Sequence, residues 1–185
     1  MPLNTNFNTD VGDDQYPTVV TDGKGTWVTI WSSRENLHGK TGGDRDILVA
    51  RSTDNGETWT PPALLNTNGF ADETDDFIPQ LATDRAGTWM AVWWSGDDLS
   101  DTAGTDKDIL FSTSVDDGRT WTDPALVNTN GVSDLGDDYV PYIATDLAGT
   151  WMVVWDSTDA FAQGRAGTDF DIFATTIRRN LGESD

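Results

Sequence analysis

"RSTDNGETWT" spans Arg51 to Thr60, and "STSVDDGRTWTD" spans Ser112 to Asp123. Both hold Ser-x-Asp-x-Gly-x-Thr-Trp, as Ser52, Asp54, Gly56, Thr58, Trp59 and, 62 residues on, as Ser114, Asp116, Gly118, Thr120, Trp121. An Asp two residues after a Ser and two before a Gly has a local use. Its carboxylate accepts N–H groups of its own hairpin while the Gly takes positive φ. The Trp then folds back onto the strands. The stretch reads as a fastener, so chemistry is sought elsewhere. A cation at Asp54 or Asp116 is disfavoured because too few oxygens converge there.

The shift of 62 carries nearly the whole chain. "LNTN" at Leu3 returns at Leu65 and as "VNTN" at Val127. "DDQYP" at Asp13 returns as "DDFIP" at Asp75 and "DDYVP" at Asp137. "TDGKGTWVTIW" at Thr21 returns as "TDRAGTWMAVW" at Thr83 and "TDLAGTWMVVW" at Thr145. "GDRDIL", "TDKDIL" and "TDFDIF" begin at Gly43, Thr105 and Thr168, the last after a one-residue insertion. The acidity is lopsided, with 28 Asp against 4 Glu, and the repeated motifs account for 17 of those Asp. Asp belongs in turns and in sites for hard cations, so the acidity is a property of the repeat unit.

Each unit predicts four short strands. The first covers Pro17–Thr21 and ends in the turn Asp22-Gly23-Lys24-Gly25. The second covers Thr26–Ser33, with Trp27, Thr29 and Trp31 on one face and Val28 and Ile30 on the other. Both faces are apolar, so both are covered. A polar loop over 34–43 leads to a third strand, Asp46–Ser52, then the boxed turn and a fourth strand over Thr60–Asn66. No helical periodicity competes. A four-stranded, two-faced, repeated unit is a propeller blade, covered on each side by its neighbours. The expected fold class is therefore all-β, with propeller blades of four antiparallel strands and three blades of about 62 residues across 1–185.

The eight-residue signature is that of the Asp-box, and the chain resembles the BNR-repeat and sialidase-like β-propellers; "GGDRDILVARSTDNGETW" is similar to a sialidase blade. The resemblance implies a propeller, six-bladed in sialidases, with the boxes on the face opposite the active site. It also implies a secreted or extracellular setting.

The 185 residues include 36% hydrophobic ones, enough for a core, and no cysteine, so neither disulfides nor thiolate metal sites arise. A net charge of −21 argues against nucleic acid and anionic membrane as partners, because each needs a basic surface. No apolar run approaches the ~20 residues of a membrane span. "MPLNTNFNTD" has neither the basic start nor the apolar stretch of a signal peptide.

The third unit has no box after "DIFATTI", while "MPLNTN" reads as an orphan fourth strand. The N-terminal strand 2–6 is therefore expected to complete the last blade of a partner chain. Three blades cannot close a ring, and two chains give six. A homodimer by strand exchange is the expected self-partner, with a piece of a longer propeller as the alternative.

Strand direction puts the lead-in to the first strand and the long second-to-third loop on one face. The Asp pairs there, Asp13/Asp14, Asp75/Asp76 and Asp137/Asp138, have three uses open to them: capping a neighbouring loop, holding a divalent cation such as calcium, or catalysis. The Asp-x-Asp motifs at Asp44/Asp46, Asp106/Asp108 and Asp169/Asp171 face the first two. The resembling sialidases clamp a carboxylate with three arginines and use a Tyr/Glu pair. Here the face offers Arg34, Arg45 and Arg165, with no matching arginine in the second unit, and nothing pairs Tyr16 or Tyr139 with Glu35. No catalytic residue carries over. Arg34, Arg45, Trp94, Tyr16 and Tyr139 remain as ligand-binding candidates, Trp94 because it has no counterpart in the other units and a sugar can stack on it. His38, the sole histidine, reads as a solvated loop residue. Three functions are open: a non-catalytic binding or scaffold module, glycan-binding and cation-dependent; a sialidase-like glycoside hydrolase or a fragment of one; a self-assembling repeat unit, relic or engineered.

Overall fold

The computed structural model describes residues 3–9, 11–37, 43–99, 103–104, 106–128, 131, 135–160 and 165–178, without the side chains of 160 and 165–168. Among them there is no helix. Eleven strands form three antiparallel sheets. The first holds β1 (Asp14–Thr21), β2 (Trp27–Ser33), β3 (Asp46–Ser52) and β4 (Ala63–Leu64) in chain order. The second repeats it with β5 (Phe77–Thr83), β6 (Trp89–Ser95), β7 (Asp108–Ser114) and β8 (Ala125–Leu126). The third has β9 (Asp138–Thr145), β10 (Thr150–Ala160) and β11 (Arg165–Arg178), ordered β11-β10-β9.

The two-faced second strand explains the stacking. Val28 and Ile30 of β2 are fully buried against Leu81, Trp89 and Trp93 of the second sheet. Val92 and Ile109 on the far face of that sheet meet Val153 and Trp155 of the third. Each core therefore lies between neighbouring sheets, as a propeller requires.

The fourth strand is much shorter than the sequence predicts, two residues in place of Thr60–Asn66. Thr60 N donates to Arg51 O at 2.9 Å, but Pro61 and Pro62 have no N–H to continue the ladder, which resumes at Ala63. After Leu64 the ladder runs on in another form. Leu65 N donates to Ile47 O at 2.7 Å. Ile47 N then donates to the side chain of Asn66 at 3.0 Å. An amide side chain thus replaces a backbone carbonyl.

Within a single chain, residues 3–9 make bends and turns, not a strand; Pro2 lies outside the described residues. A strand needs a neighbour for its N–H and C=O groups, and among the described residues no strand pairs with this segment. Its side chains still follow the repeat. Leu3 packs in a cluster with Trp31, where Leu65 meets Trp93 and Val127 meets Trp155.

Candidate functional site

All three sheets deform at the same place. The residue before the first strand's proline takes positive φ: Tyr16 at 55°, Ile78 at 51° and Val140 at 50°. The β1–β2 register shifts between Gln15 and Thr18, and β5–β6 between Phe77 and Gln80. A β-branched residue held left-handed is strained by roughly 1–3 kcal/mol and persists only where its surroundings dictate it. Bulges beside working faces re-aim side chains.

The bulges sit at an aromatic row that crosses all three sheets. Tyr16 meets Phe77 edge-on with centroids 6.1 Å apart. Phe77 stacks on Trp94 at 4.8 Å and 20°. Trp94 meets Tyr139 edge-on at 5.2 Å. Tyr139 continues to Phe170 at 6.1 Å. Cations back the row, with the Arg45 guanidinium 5.3 Å from the Phe77 centroid and Lys107 Nζ 5.2 Å from that of Tyr139. An open pocket of about 790 Å³ lies over its centre, lined by Asp44, Asp72, Asp75, Phe77, Trp94 and Lys107 among others.

The first Asp of the second and third pairs ties its sheet to the preceding one. Asp75 Oδ1 accepts from Arg45 N at 2.8 Å, and Asp137 Oδ1 from Lys107 N at 3.2 Å. Asp75 also pairs with Arg34 at 3.1 Å, and Asp137 accepts from Lys107 Nζ at 3.2 Å and Tyr139 OH at 2.8 Å. Burial pushes the Asp137 carboxyl up, but the bonds from Tyr139 and Lys107 outweigh it and hold it below its ordinary value. Asp13 contributes its carbonyl, which accepts from Arg34 N and Arg45 Nη1, both at 3.2 Å.

The second Asp of the latter two pairs points inward, whereas Asp14 is exposed. Asp14 accepts from Trp31 Nε1, Ser33 Oγ and Asn4 Nδ2 at 2.9, 2.6 and 2.9 Å. Asp76 and Asp138 are buried. Asn66, fully buried, donates to Asp46 Oδ1 at 3.0 Å and to Asp76 Oδ2 at 2.9 Å, joining the first sheet to the second. Three carboxylates, Asp44, Asp46 and Asp72, offer oxygens within 4.8 Å of one another, with Asp46 buried.

A curated sialidase of Bacteroides fragilis (strain YCH46) is 29% identical over 139 residues, 61% of this chain and 25% of its own, so the chain spans about a quarter of that relative. A solved Hadza microbial sialidase superposes on 92% of this chain with 36% of its own, at TM-score 0.63 and 19% identity. An α-L-arabinanase of Penicillium chrysogenum, complexed with arabinobiose, covers 84% of this chain with 45% of its own, at TM-score 0.54 and 15% identity. No protein-family model matches the chain. The fold is that of a sialidase-like β-propeller.

On this propeller the ligand-binding candidates fall into two groups. Tyr16, Trp94 and Tyr139 join one row, and Arg45 backs it. Arg34 lies apart from the rings in its ion pair with Asp75. Arg45 is 6% exposed, and the Arg165 side chain and His38 lie outside the described residues. Glu35 accepts from Val11 N and Gly12 N at 3.0 and 3.3 Å, fastening the N-terminal loop. Sequence reasoning missed Phe77, Lys107 and Phe170. Phe77 and Tyr139 share a repeat position, a signal that the alignment carries. Asp72, in a loop with no motif of its own, was missed as well.

The boxes close as local fasteners. Asp54 Oδ1 accepts from Thr58 N at 2.9 Å and Ser52 Oγ at 2.7 Å, and Gly56 N donates to Ser52 Oγ at 2.9 Å. Ser114, Asp116, Gly118 and Thr120 repeat the pattern. Trp59 Nε1 donates to Gly56 O at 3.2 Å, and Trp121 packs against the core between the first two sheets.

Proposed function

We propose that this chain is a non-catalytic, glycan-binding propeller module, with the aromatic row around Trp94 as its platform. The observation that supports it is the row itself: five rings in contact across three sheets, beside an open pocket. Sugar rings carry apolar C–H faces, and aromatic faces receive them without charge. Asp44 and Asp75 on the rim repel a carboxylate-bearing sugar, so neutral or amino sugars are the fitting class. Arg34 and Arg45 are engaged within the protein, which leaves neither as a clamp for a sialic acid. Extracellular glycans suit such a module. Self-association into a six-bladed ring and calcium at the acidic pairs belong to the same reading.

A glycan array followed by calorimetry on its hits tests the reading. Neutral oligosaccharides should bind, and Trp94→Ala should weaken them about tenfold, the ~1.4 kcal/mol expected of a lost stacking face. The sialidase relative favours a second reading, a glycoside hydrolase. Release of sialic acid from a fluorogenic sialoside, lost in Arg45→Ala, would establish it in place of the first. A chain that neither binds nor cleaves any glycan leaves the scaffold role.

A further inference from the structure

We infer that the junction between the first and second sheets is a calcium site built on Asp44, Asp46 and Asp72. The inference goes beyond the glycan reading, and no sugar enters its test.

One carboxylate oxygen from each residue lies within 4.8 Å of the other two. Asp46 is 1% exposed; its Oδ1 accepts from Asn66, and its buried Oδ2 has no hydrogen-bond donor. Asp44 Oδ2 and Asp72 Oδ1 are buried without a donor too. The same loop adds Asn68 Oδ1 and Thr74 Oγ1, each buried and without a partner. Asn68 is joined to the cluster through Nδ2, which donates to Asp72 Oδ2 at 2.8 Å. More than about nine in ten buried polar atoms in proteins are hydrogen-bonded. A group of donorless oxygens at one junction therefore calls for a positive charge that the chain itself does not provide.

The donor set decides the ion. Every oxygen is hard, with no imidazole or thiolate among them, which selects calcium or magnesium over zinc or copper. Oxygens this close together can share one cation, as a calcium shell with ligands at about 2.4 Å allows. Magnesium holds its ligands at about 2.1 Å and demands near-ideal octahedral order, which a strand start and a loop impose less readily than the flexible shell of calcium requires. The open pocket reaches Asp44 and Asp72, giving the ion a path and room for water ligands. Burial first, then the neighbouring carboxylates, pushes Asp72 up to about 8, and burial pushes Asp46 up to about 7.

The position is a stitch between blades. Asp46 begins β3 of the first sheet, while Asp72 lies in the loop that leads to β5 of the second. The sequence repeats the arrangement 62 residues on, at Asp106, Asp108 and Asp134.

Calcium titrated calorimetrically into chelator-stripped full-length chain, at neutral pH and physiological salt, tests the site. Saturable binding is expected, with a rise of several degrees in Tm and a weaker response to magnesium. Asp72→Asn and Asp44→Asn should each remove one site from the stoichiometry, which is at least a tenfold loss of affinity there. Glu57→Gln, in an exposed acid of the boxed turn outside the cluster and the acidic pairs, should remove none. Asp44 is only half-buried, so its variant keeps the test alive should Asp72→Asn fail to fold. Absence of saturable binding overturns the inference, as does a full stoichiometry in both Asp44→Asn and Asp72→Asn.

Discussion

Asn66 is a small residue with a large share of the architecture. It gives Ile47 N an acceptor and supplies donors to Asp46 and Asp76 from one fully buried amide. Asn66→Ala should lower unfolding stability by at least about 3 kcal/mol in urea, because a stranded buried polar group costs about 1–3 kcal/mol and three are left. A loss under about 1 kcal/mol would mean that water replaces the amide. Asp54 works at the opposite extreme of burial. The hydroxyl and backbone N–H of Thr58, then Ser52, draw its carboxyl down to about 2. Its ordinary value in an unfolded chain is about 3.9. A depressed carboxyl contributes stability that is complete above that value and is lost as pH falls towards 2. Thr58→Val should raise the Asp54 pKa by carbon-detected NMR and flatten the acid limb of stability between about pH 4 and pH 2; an unmoved pKa would sink this account. The contrast explains what the sequence could tell. The partners of Asp54 lie within four residues of it, so the box is readable as a string. Those of Asn66 lie 10 and 20 residues away on two sheets, and nothing local announces them.

Turns and bulges show the same division between local and distant causes. Gly23, Arg85 and Leu147 occupy one repeat position with φ of 75°, 59° and 60°. Glycine takes that conformation freely, whereas leucine pays roughly 1–2 kcal/mol for it. Leu147 is 52% exposed, so its side chain contributes little packing. Leu147→Gly should therefore stabilise the chain by about 0.5 kcal/mol after the added chain entropy of glycine, raising Tm by one or two degrees. A fall in Tm would show that the side chain packs more than its exposure implies. Asp-Gly-Lys-Gly makes this turn legible in the first unit, and alignment carries it to the others. The bulges at Ile78 and Val140 were not legible, since β-branched residues before proline prefer extended backbone. Only the packed row explains them. Tyr16, Trp94 and Tyr139 each drew attention singly, but their order depends on how three sheets stack.

The two ends of the stack differ in exposure from the junctions inside it. Ile47 and Ile109 are fully buried, yet the matching Ile172 is 73% exposed. Val28 and Met90 are buried at 0% and 3%, while the matching Met152 is 50% exposed. At the other end Val19 is 52% exposed where Leu81 is 6%. The third sheet thus presents an apolar face of the kind that internal junctions cover, and the first presents its complement. The first end carries more than apolar complement. Asn4 already donates to Asp14 at 2.9 Å, as Asn66 does to Asp76, while its repeat partner on β11, Asp171, stands exposed. A second copy, rotated by a two-fold axis, would bring Asn4 and Leu3 to the edge of β11 and meet both end faces at once. Exposed strand edges with apolar faces associate unless something blocks them. Light scattering should give twice the 20.2 kDa chain mass. Ile172→Asp should halve that mass without changing the far-ultraviolet circular dichroism spectrum, because the side chain is exposed within the single chain and a charge cannot enter the junction. Deleting residues 1–6 should have the same effect or cause aggregation. A full-length chain that runs as a monomer rules out closure by a second copy, leaving a further segment of the same repeat as the covering element. A dimer that survives both changes rules out this pair of faces.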